Sequence, residues 1–529
     1  MKRVHFPHVL LIACLFCAGC FKVGPDFTPP KTAVAQDWQD AGDRQVSTAS
    51  IEHRDWWKAF KDPALDRLIN TAYQENLNLR IAGVRVLEAR AQLGIAVGEL
   101  FPQTQQAYGS LDKFHYSKHA PAAAFNPNLR YFQSEVGLTA SWELDFWGKF
   151  RRAIESADAS LISVVADYDA ALVSLTGDVA ASYILIRTLE KRLEIARQNV
   201  DVQRESLKIA EAKFHGGTTT QRDVEQAKTQ LFNTEATIPS LEIQLRQAKN
   251  ALCVLLGMPP NQLTDLLAGQ GGIPAPPPQV AVGIPADLLR RRPDIRSAEA
   301  QAWAQCANIG VAKAELFPAF SLIGTFSFQS SDVAMFKLGQ MFRWDSRNVQ
   351  AGPSFQWNLL NYGRLTNQVR VQDARFQELL IGYQNAVLKA QQEVEDSLTG
   401  FLRSEVRARM LGESTAAARR SLDLSVLQYR EGTTDFTTVL TAQQALLNEQ
   451  DSLAVTLGDI SRNLVGVYRA LGGGWQLREG HDFIPEPVRA EMAQRTNWGG
   501  LLAPAKYALS EPGKSQGEKG TEAPSPQKD

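Results

Sequence analysis

The chain has 529 residues, 44% hydrophobic and 21% charged, which is enough apolar material for a large buried core and argues against wholesale disorder. Its 56 basic and 57 acidic residues leave a formal net charge of -1, so no global field recruits nucleic acid or an anionic surface. Charge excludes a partner chosen by bulk electrostatics and names none.

At the start of the chain, Lys2 and Arg3 form a short positive region, residues 9–18 an apolar one, and Ala18-Gly19 the small residues of a cleavage site. The pattern predicts export, with residues 1–19 as leader. Cys20 follows at once, in the position of a lipobox cysteine that is diacylated and becomes the mature N-terminus. Cys17 stands where Leu is usual, and Cys14 is a competing match. We set Cys14 aside because it would leave only about four apolar residues ahead of it, against the usual 7 or more. Cys253 and Cys306 then remain, too few for a disulfide framework, and are expected to be free core residues far apart in space. Beyond residue 20 there is no uninterrupted apolar run of about 18 residues, so any spanning structure is expected to be β.

The body of the chain is one unit written twice. Residues 94–102 (GIAVGELFP) return at 310–318 as GVAKAELFP, an offset of 216. Trp142 with Trp147-Gly148 returns as Trp357 with Tyr362-Gly363, and Phe214 with Gly217-Thr218 as Tyr429 with Gly432-Thr433, an offset of 215. Between Pro102 and Trp147, and again between Pro318 and Tyr362, β-forming and polar residues are interleaved with polar loops such as Asn126-Pro127-Asn128, predicting one hairpin per copy. Four strands cannot close a barrel, and an open sheet edge is not tolerated in hydrocarbon, so strands that enter a membrane require several copies. Trp142, Phe146, Trp147, Trp357 and Tyr362 suit an interfacial girdle, and equally suit the core of a domain junction.

No proline occurs from 128 to 238 or from 354 to 484. Apolar residues recur there at alternating steps of four and three: Leu161, Val165, Tyr168, Leu172, Leu175, Val179, then Ile186, Leu189, Leu193, Ala196, Val200, Leu207, Ala210 and Phe214. Ser182 and Gln203 are the polar members of this seam, and the second copy repeats it from Phe376 to Tyr429. Heptads this long predict a coiled coil. Helices over 148–214 and 363–429 would each reach roughly 100 Å at 1.5 Å per residue. Glycine turns at Gly216-Gly217 and Gly432 then lead into shorter return helices over about 219–256 and 435–471, making helical hairpins.

The fold class is therefore mainly α with a β-barrel part: a duplicated β-hairpin followed by long coiled-coil hairpins. The expected organisation is a leader (1–19), an anchored N-terminal segment (20–60), a first repeat (61–258), a linker (259–284), a second repeat (285–474) and a C-terminal segment (475–529) whose end, rich in Pro, Gly, Ser, Lys and Glu, reads as disordered. Chemistry has little support. The seven His are scattered, no zinc spacing or Ser-His-Asp order is present, and glycine pairs such as Gly271-Gly272 fall in linkers. We expect neither enzyme activity, cofactor nor metal. A periplasm-spanning structural lipoprotein would explain the coils but not β inserts at the same place in both copies, and a one-chain porin would need at least about eight strands.

The ELFP motif before each hairpin, the duplication and the lipoprotein-like N-terminus together resemble the TolC-type outer-membrane efflux proteins, especially the lipidated OprM/NodT-like branch. Residues 20–27 (CFKVGPDF) are similar to that branch's mature N-terminus, as are 55–58 (DWWK) with 62–65 (DPAL), and 429–433 (YREGT) with Ala442-Gln443 to its hairpin tip. The resemblance implies a homotrimeric channel-tunnel in the outer membrane, anchored by lipid at Cys20, with Phe21 after the cysteine in keeping with outer-membrane sorting. It also implies docking, through Gly216, Gly217, Thr218, Gly432, Thr433 and Thr434, to a periplasmic adaptor and through it to an inner-membrane pump of RND type. In the family, aspartates ring the closed entrance. The matching positions here are Thr438 and Thr441, so a constriction at Asp435, Thr438 and Thr441 would lack acids on the helix itself. Asp435 and Asp223 are the nearest acids, and both also suit a helix N-terminus.

Overall fold

A computed structural model of the chain describes residues 21–49, 54–119, 121, 128–269, 271–287, 291–333 and 337–503. The leader, Cys20, most of the 126–128 loop and the tail from residue 504 lie outside these.

The helices are α1 (Pro63–Glu75), α2 (Leu77–Gly98), α3 (Lys149–His215), α4 (Gln221–Leu255), α5 (Pro293–Ala314), α6 (Arg364–Glu431), α7 (Phe436–Ala470) and α8 (Glu486–Arg495). The strands are β1 (Val46–Ser47), β2 (Thr104–His115), β3 (Arg130–Leu144), β4 (Val280–Ala281), β5 (Ala319–Ser331) and β6 (Arg347–Gln356). The duplication is thus structural: α2, β2, β3, α3 and α4 are matched in order by α5, β5, β6, α6 and α7. The long helices have 67 and 68 residues. Pro239 lies inside α4, so that helix runs past the end of the proline-free stretch.

The four long strands form one antiparallel sheet in the order β2-β3-β5-β6, with Gly137 opposite Ser327 at the junction of the two hairpins. Among the described residues, both outer edges, β2 and β6, are unpaired. A second, two-stranded sheet pairs β1 with β4 in parallel and ties the N-terminal arm to the segment between the copies.

The heptad seam is the core. Leu161 to Val200 along the predicted positions are buried, Ser182 alone being half-exposed, and in α6 the buried positions include Tyr383, Val387, Ala390, Val394, Phe401, Leu422 and Tyr429. One 18-residue window of α3 is apolar enough to cross a membrane, but its Leu172, Val179, Ile184 and Ile186 pack inside the fold. The seam departs from expectation near the hairpin ends. Phe214 is exposed, lying in the last turn beyond the packed layers, and Gln203 is buried with neither amide atom hydrogen-bonded. Gln203 belongs to a polar layer, with Ser206–Gln443 at 2.7 Å and Asn199–Gln450 at 2.8 Å, that separates the main hydrophobic cluster from a smaller one at the tips.

Cys253 and Cys306 are both buried and free. Burial raises the Cys306 thiol to about 11.

Candidate functional site

Three places hold the candidate residues: the sheet, its junction with the helices, and the hairpin tips. Side chains alternate across a strand, so the register sorts them into two faces. Leu111, Val136, Leu138, Trp142, Leu322, Phe326, Phe328, Val349 and Phe355 share one face. Tyr108, Ser110, Glu135, Thr139, Thr325, Ser327 and Gln350 share the other, where the Tyr108 hydroxyl donates to Glu135 Oε1 at 2.7 Å. An apolar face and a polar face alternating residue by residue are the pattern of a membrane barrel wall, apolar to lipid and polar to the channel.

At the junction the aromatics are anchored through their polar atoms. The Trp142 indole donates to the Leu100 carbonyl and the Trp357 indole to the Leu316 carbonyl, both at 3.1 Å, so each copy repeats the same tie to its ELFP motif. Trp147 donates instead to Pro318 of the other copy (2.9 Å) and stacks on Phe317, with ring centroids 4.6 Å apart. Its counterpart Tyr362 is 96% exposed.

The N-terminal arm docks at the same level, through a residue that sequence reading missed. Arg152, buried in α3, donates to the carbonyls of Val23 (3.1 Å) and Gly24 (3.3 Å) and to Asp26 (2.8 Å). Gly24 adopts φ +97°, and a Cβ there would lie 2.5 Å from Gly310 Cα, so the arm enters its groove only as glycine. The VGPDF stretch was the available signal, but its partner lies about 130 residues away. Val23 N–H donates to the Trp147 carbonyl at 3.0 Å, bringing the arm to the sheet–helix junction, with Phe21, next to the expected lipid attachment at Cys20, exposed.

The tips are built alike. Gly217 and Gly432 take φ +70° and +76°. Thr218 N–H donates to Lys213 O and Thr433 N–H to Gln428 O, both at 2.9 Å, with each threonine hydroxyl reinforcing the bond at 3.0 Å. This is a Schellman stop in each copy. Lys213 reaches the Tyr429 carbonyl and lies over its ring, fastening one tip to the other. Gly216 continues the α3 stop.

Beyond the turns the two copies exchange one acid. In copy one Thr220 precedes α4 and Asp223 lies in its first turn, accepting from the hydroxyls of Thr219 and Thr220. In copy two the order reverses: Asp435 caps α7, its Oδ1 accepting from the Thr438 hydroxyl (2.9 Å) and N–H (3.1 Å). These bonds, the hydroxyl's first, hold the Asp435 carboxyl below the usual carboxylate range. Thr434 donates to the Thr438 hydroxyl, and Thr441 to the Thr437 carbonyl. Asp435 and Asp223 thus both serve helix N-termini, and Asp435, Thr438 and Thr441 lie exposed along the first two turns of α7 at the tip.

Among the described residues no group of His, Cys, Asp and Glu is arranged to hold a metal. A family model described as outer membrane efflux protein matches residues 68–258 and 284–473, which are the two copies. The chain is similar to nodulation protein T of Rhizobium leguminosarum bv. viciae, 32% identical over 87% of this chain and 92% of that protein. It is 32% identical to the pyoverdine export outer membrane protein OpmQ of Pseudomonas aeruginosa over 88% and 96%. Among solved structures, the outer-membrane channel OprN matches with a TM-score of 0.79 and 31% identity, covering 86% of this chain and all of that one.

Proposed function

Because the chain belongs to the outer membrane efflux protein family, we propose that three copies close side by side into one barrel and one tunnel, anchored by lipid at Cys20. The protein is an outer-membrane channel of a tripartite efflux pump, with a large periplasmic part. One observation carries the assembly: the contact that joins copy one to copy two inside the chain has an empty counterpart at the chain's outer edges. Inside, β3 pairs with β5, α3 packs on α5, and Trp147 covers Phe317. Outside, among the described residues, β6 and β2 have free edges, and Tyr362 and Phe101 are exposed. A neighbour turned about the channel axis fills both vacancies with the same geometry, and four strands repeated three times make a barrel of about twelve.

The tip turns, with their exposed threonines, are the docking points for a periplasmic adaptor, which links the duct to an inner-membrane pump of RND type. Cargo is selected by the pump, and the duct's own residues conduct without chemistry. Purified protein in planar bilayers tests this reading: discrete conductance from a species of trimer mass supports it. A trimer with no conductance would favour a structural lipoprotein. Mass analysis of the mature N-terminus should show a lipid-modified cysteine followed by Phe21; an unmodified start elsewhere would remove the anchor.

A further inference from the structure

The charged side chains of the barrel strands are sorted by sign. Asp112, Glu135 and Glu143 all lie on the polar face, opposite Gln133, Ser110 and Ser321. Every base lies on the apolar face: Lys113 opposite Phe132, His115 opposite Arg130, and Arg347 opposite Phe328. The bases are also confined to one level. They occupy the strand ends remote from α3 and α6, whereas the apolar face below them is uncharged.

A base on a lipid-facing strand position is costly at mid-bilayer and tolerated at the interface, so this row marks headgroup level. Two of its side chains lie over aromatic rings. Lys113 Nζ lies 5.3 Å from the Phe132 ring centroid, and the Arg347 guanidinium lies 4.6 Å from that of Trp344, donating also to the Trp344 carbonyl at 2.7 Å. Among the described residues, none of Lys113, Arg130 and Arg347 has a carboxylate partner. The nearby acids are otherwise engaged: Asp332 accepts from Phe132 N–H at 2.6 Å, and Asp345 lies 3.9 Å from Arg343. Cations left without an acid, at the outer rim of an apolar wall, complement an anionic lipid surface.

We propose that this row binds the phosphate groups of the lipopolysaccharide that forms the outer leaflet. The inference rests on the trimer reading, because Arg347 lies on one outer edge of the sheet and Lys113 and His115 on the other. Closing the barrel brings them together at each seam, so one glycolipid with two phosphates can bridge two chains.

The test uses the assembled protein in neutral detergent, with bisphosphorylated lipid A, dephosphorylated lipid A and phosphatidylglycerol as probes. Retained lipid is counted by native mass spectrometry, and size is read on the same sample. Wild type should retain bisphosphorylated lipid A, and Lys113→Gln/Arg130→Gln/Arg347→Gln should bind it about tenfold more weakly or worse. The charge-conserving Lys113→Arg should keep it, as should Glu135→Gln on the channel face. Equal retention by the triple variant, or equal retention of the dephosphorylated lipid or phosphatidylglycerol by wild type, overturns the proposal. A trimer that retains no lipid A overturns this inference alone, and a monomeric wild type overturns it together with the trimer reading.

Discussion

The two copies share a fold and differ in what covers them. In copy one, α3 is buried almost from its first turn, with Phe150, Arg152, Ser156, Ala159 and Leu161 all enclosed. In copy two, no α6 side chain between Leu365 and Tyr383 is buried. A Cβ on Gly310 would meet Arg152 Cγ and the Val23 carbonyl at 2.8 Å, whereas Gly94 has nothing within 4 Å. Phe317 lies under Trp147, whereas its counterpart Phe101 is 59% exposed. One sequence pattern stands here in two states of cover, and under the proposed trimer the bare face of the second copy is the surface that receives the first copy of another chain.

The sharpest contrast in energy is Asp169. In copy one it is fully buried and grips Arg478 with two bonds, of 2.6 and 3.1 Å, holding the C-terminal segment to α3. Its counterpart in copy two is Gln384, exposed on α6. Asp169→Ala strands a buried guanidinium and should cost about 3–5 kcal/mol of folding stability, read by denaturant unfolding in detergent. Gln384→Ala should cost close to nothing. Equal effects would mean that the Asp169–Arg478 pair contributes little.

The two glycines come next. Gly310→Ala overpacks a closed groove and should destabilise the folded chain by about 1–3 kcal/mol. Gly94→Leu should leave the stability of the isolated chain unchanged and lower the trimer fraction, measured by size in detergent. If Gly94→Leu assembles normally, the open face of α2 is not an interface.

The smallest effect concerns the exchanged acid at the tips. With threonine at 438 and 441 and Asp435 held to Thr438, the closed tip should discriminate weakly between cations and anions and be little blocked by polycations. Thr441→Asp repeats a charge three times around a narrow axis and should raise both in bilayer recordings. Strong polycation block in wild type that disappears in Asp435→Asn would relocate the constriction to the turn.

What could be read in advance follows from the range of the interactions. The 215-residue offset, the heptads and the mixing of β-forming with polar residues are local patterns repeated, so the helices, the two hairpins and the glycine turns were legible, whereas the β3–β5 pairing that joins the hairpins into one sheet and the Schellman bonds of the turns were not. The grip of Arg152 on Val23 and the Asp169–Arg478 pair join residues 129 and 309 positions apart, and no local period reports them. Gln203 was legible as a polar interruption of the seam. That it belongs to a polar layer between two cores depends on Gln443 and Asn199 on other turns. Asp435 was legible as an acid at a turn, but its bond to Thr438 needed the helix start to be placed within a residue.

If contacts between copies within the chain recur between chains, paired cysteines should report it. Trp147→Cys/Phe317→Cys and Tyr362→Cys/Phe101→Cys place thiols at equivalent positions, one pair covered and one bare. With a short bifunctional thiol reagent on intact outer membranes, the first pair should leave the chain at monomer mass, and the second should give a ladder ending at the trimer. A second pair that gives only monomer, while the first is cross-linked internally, would contradict the claim that the bare edge of one chain is filled by the next.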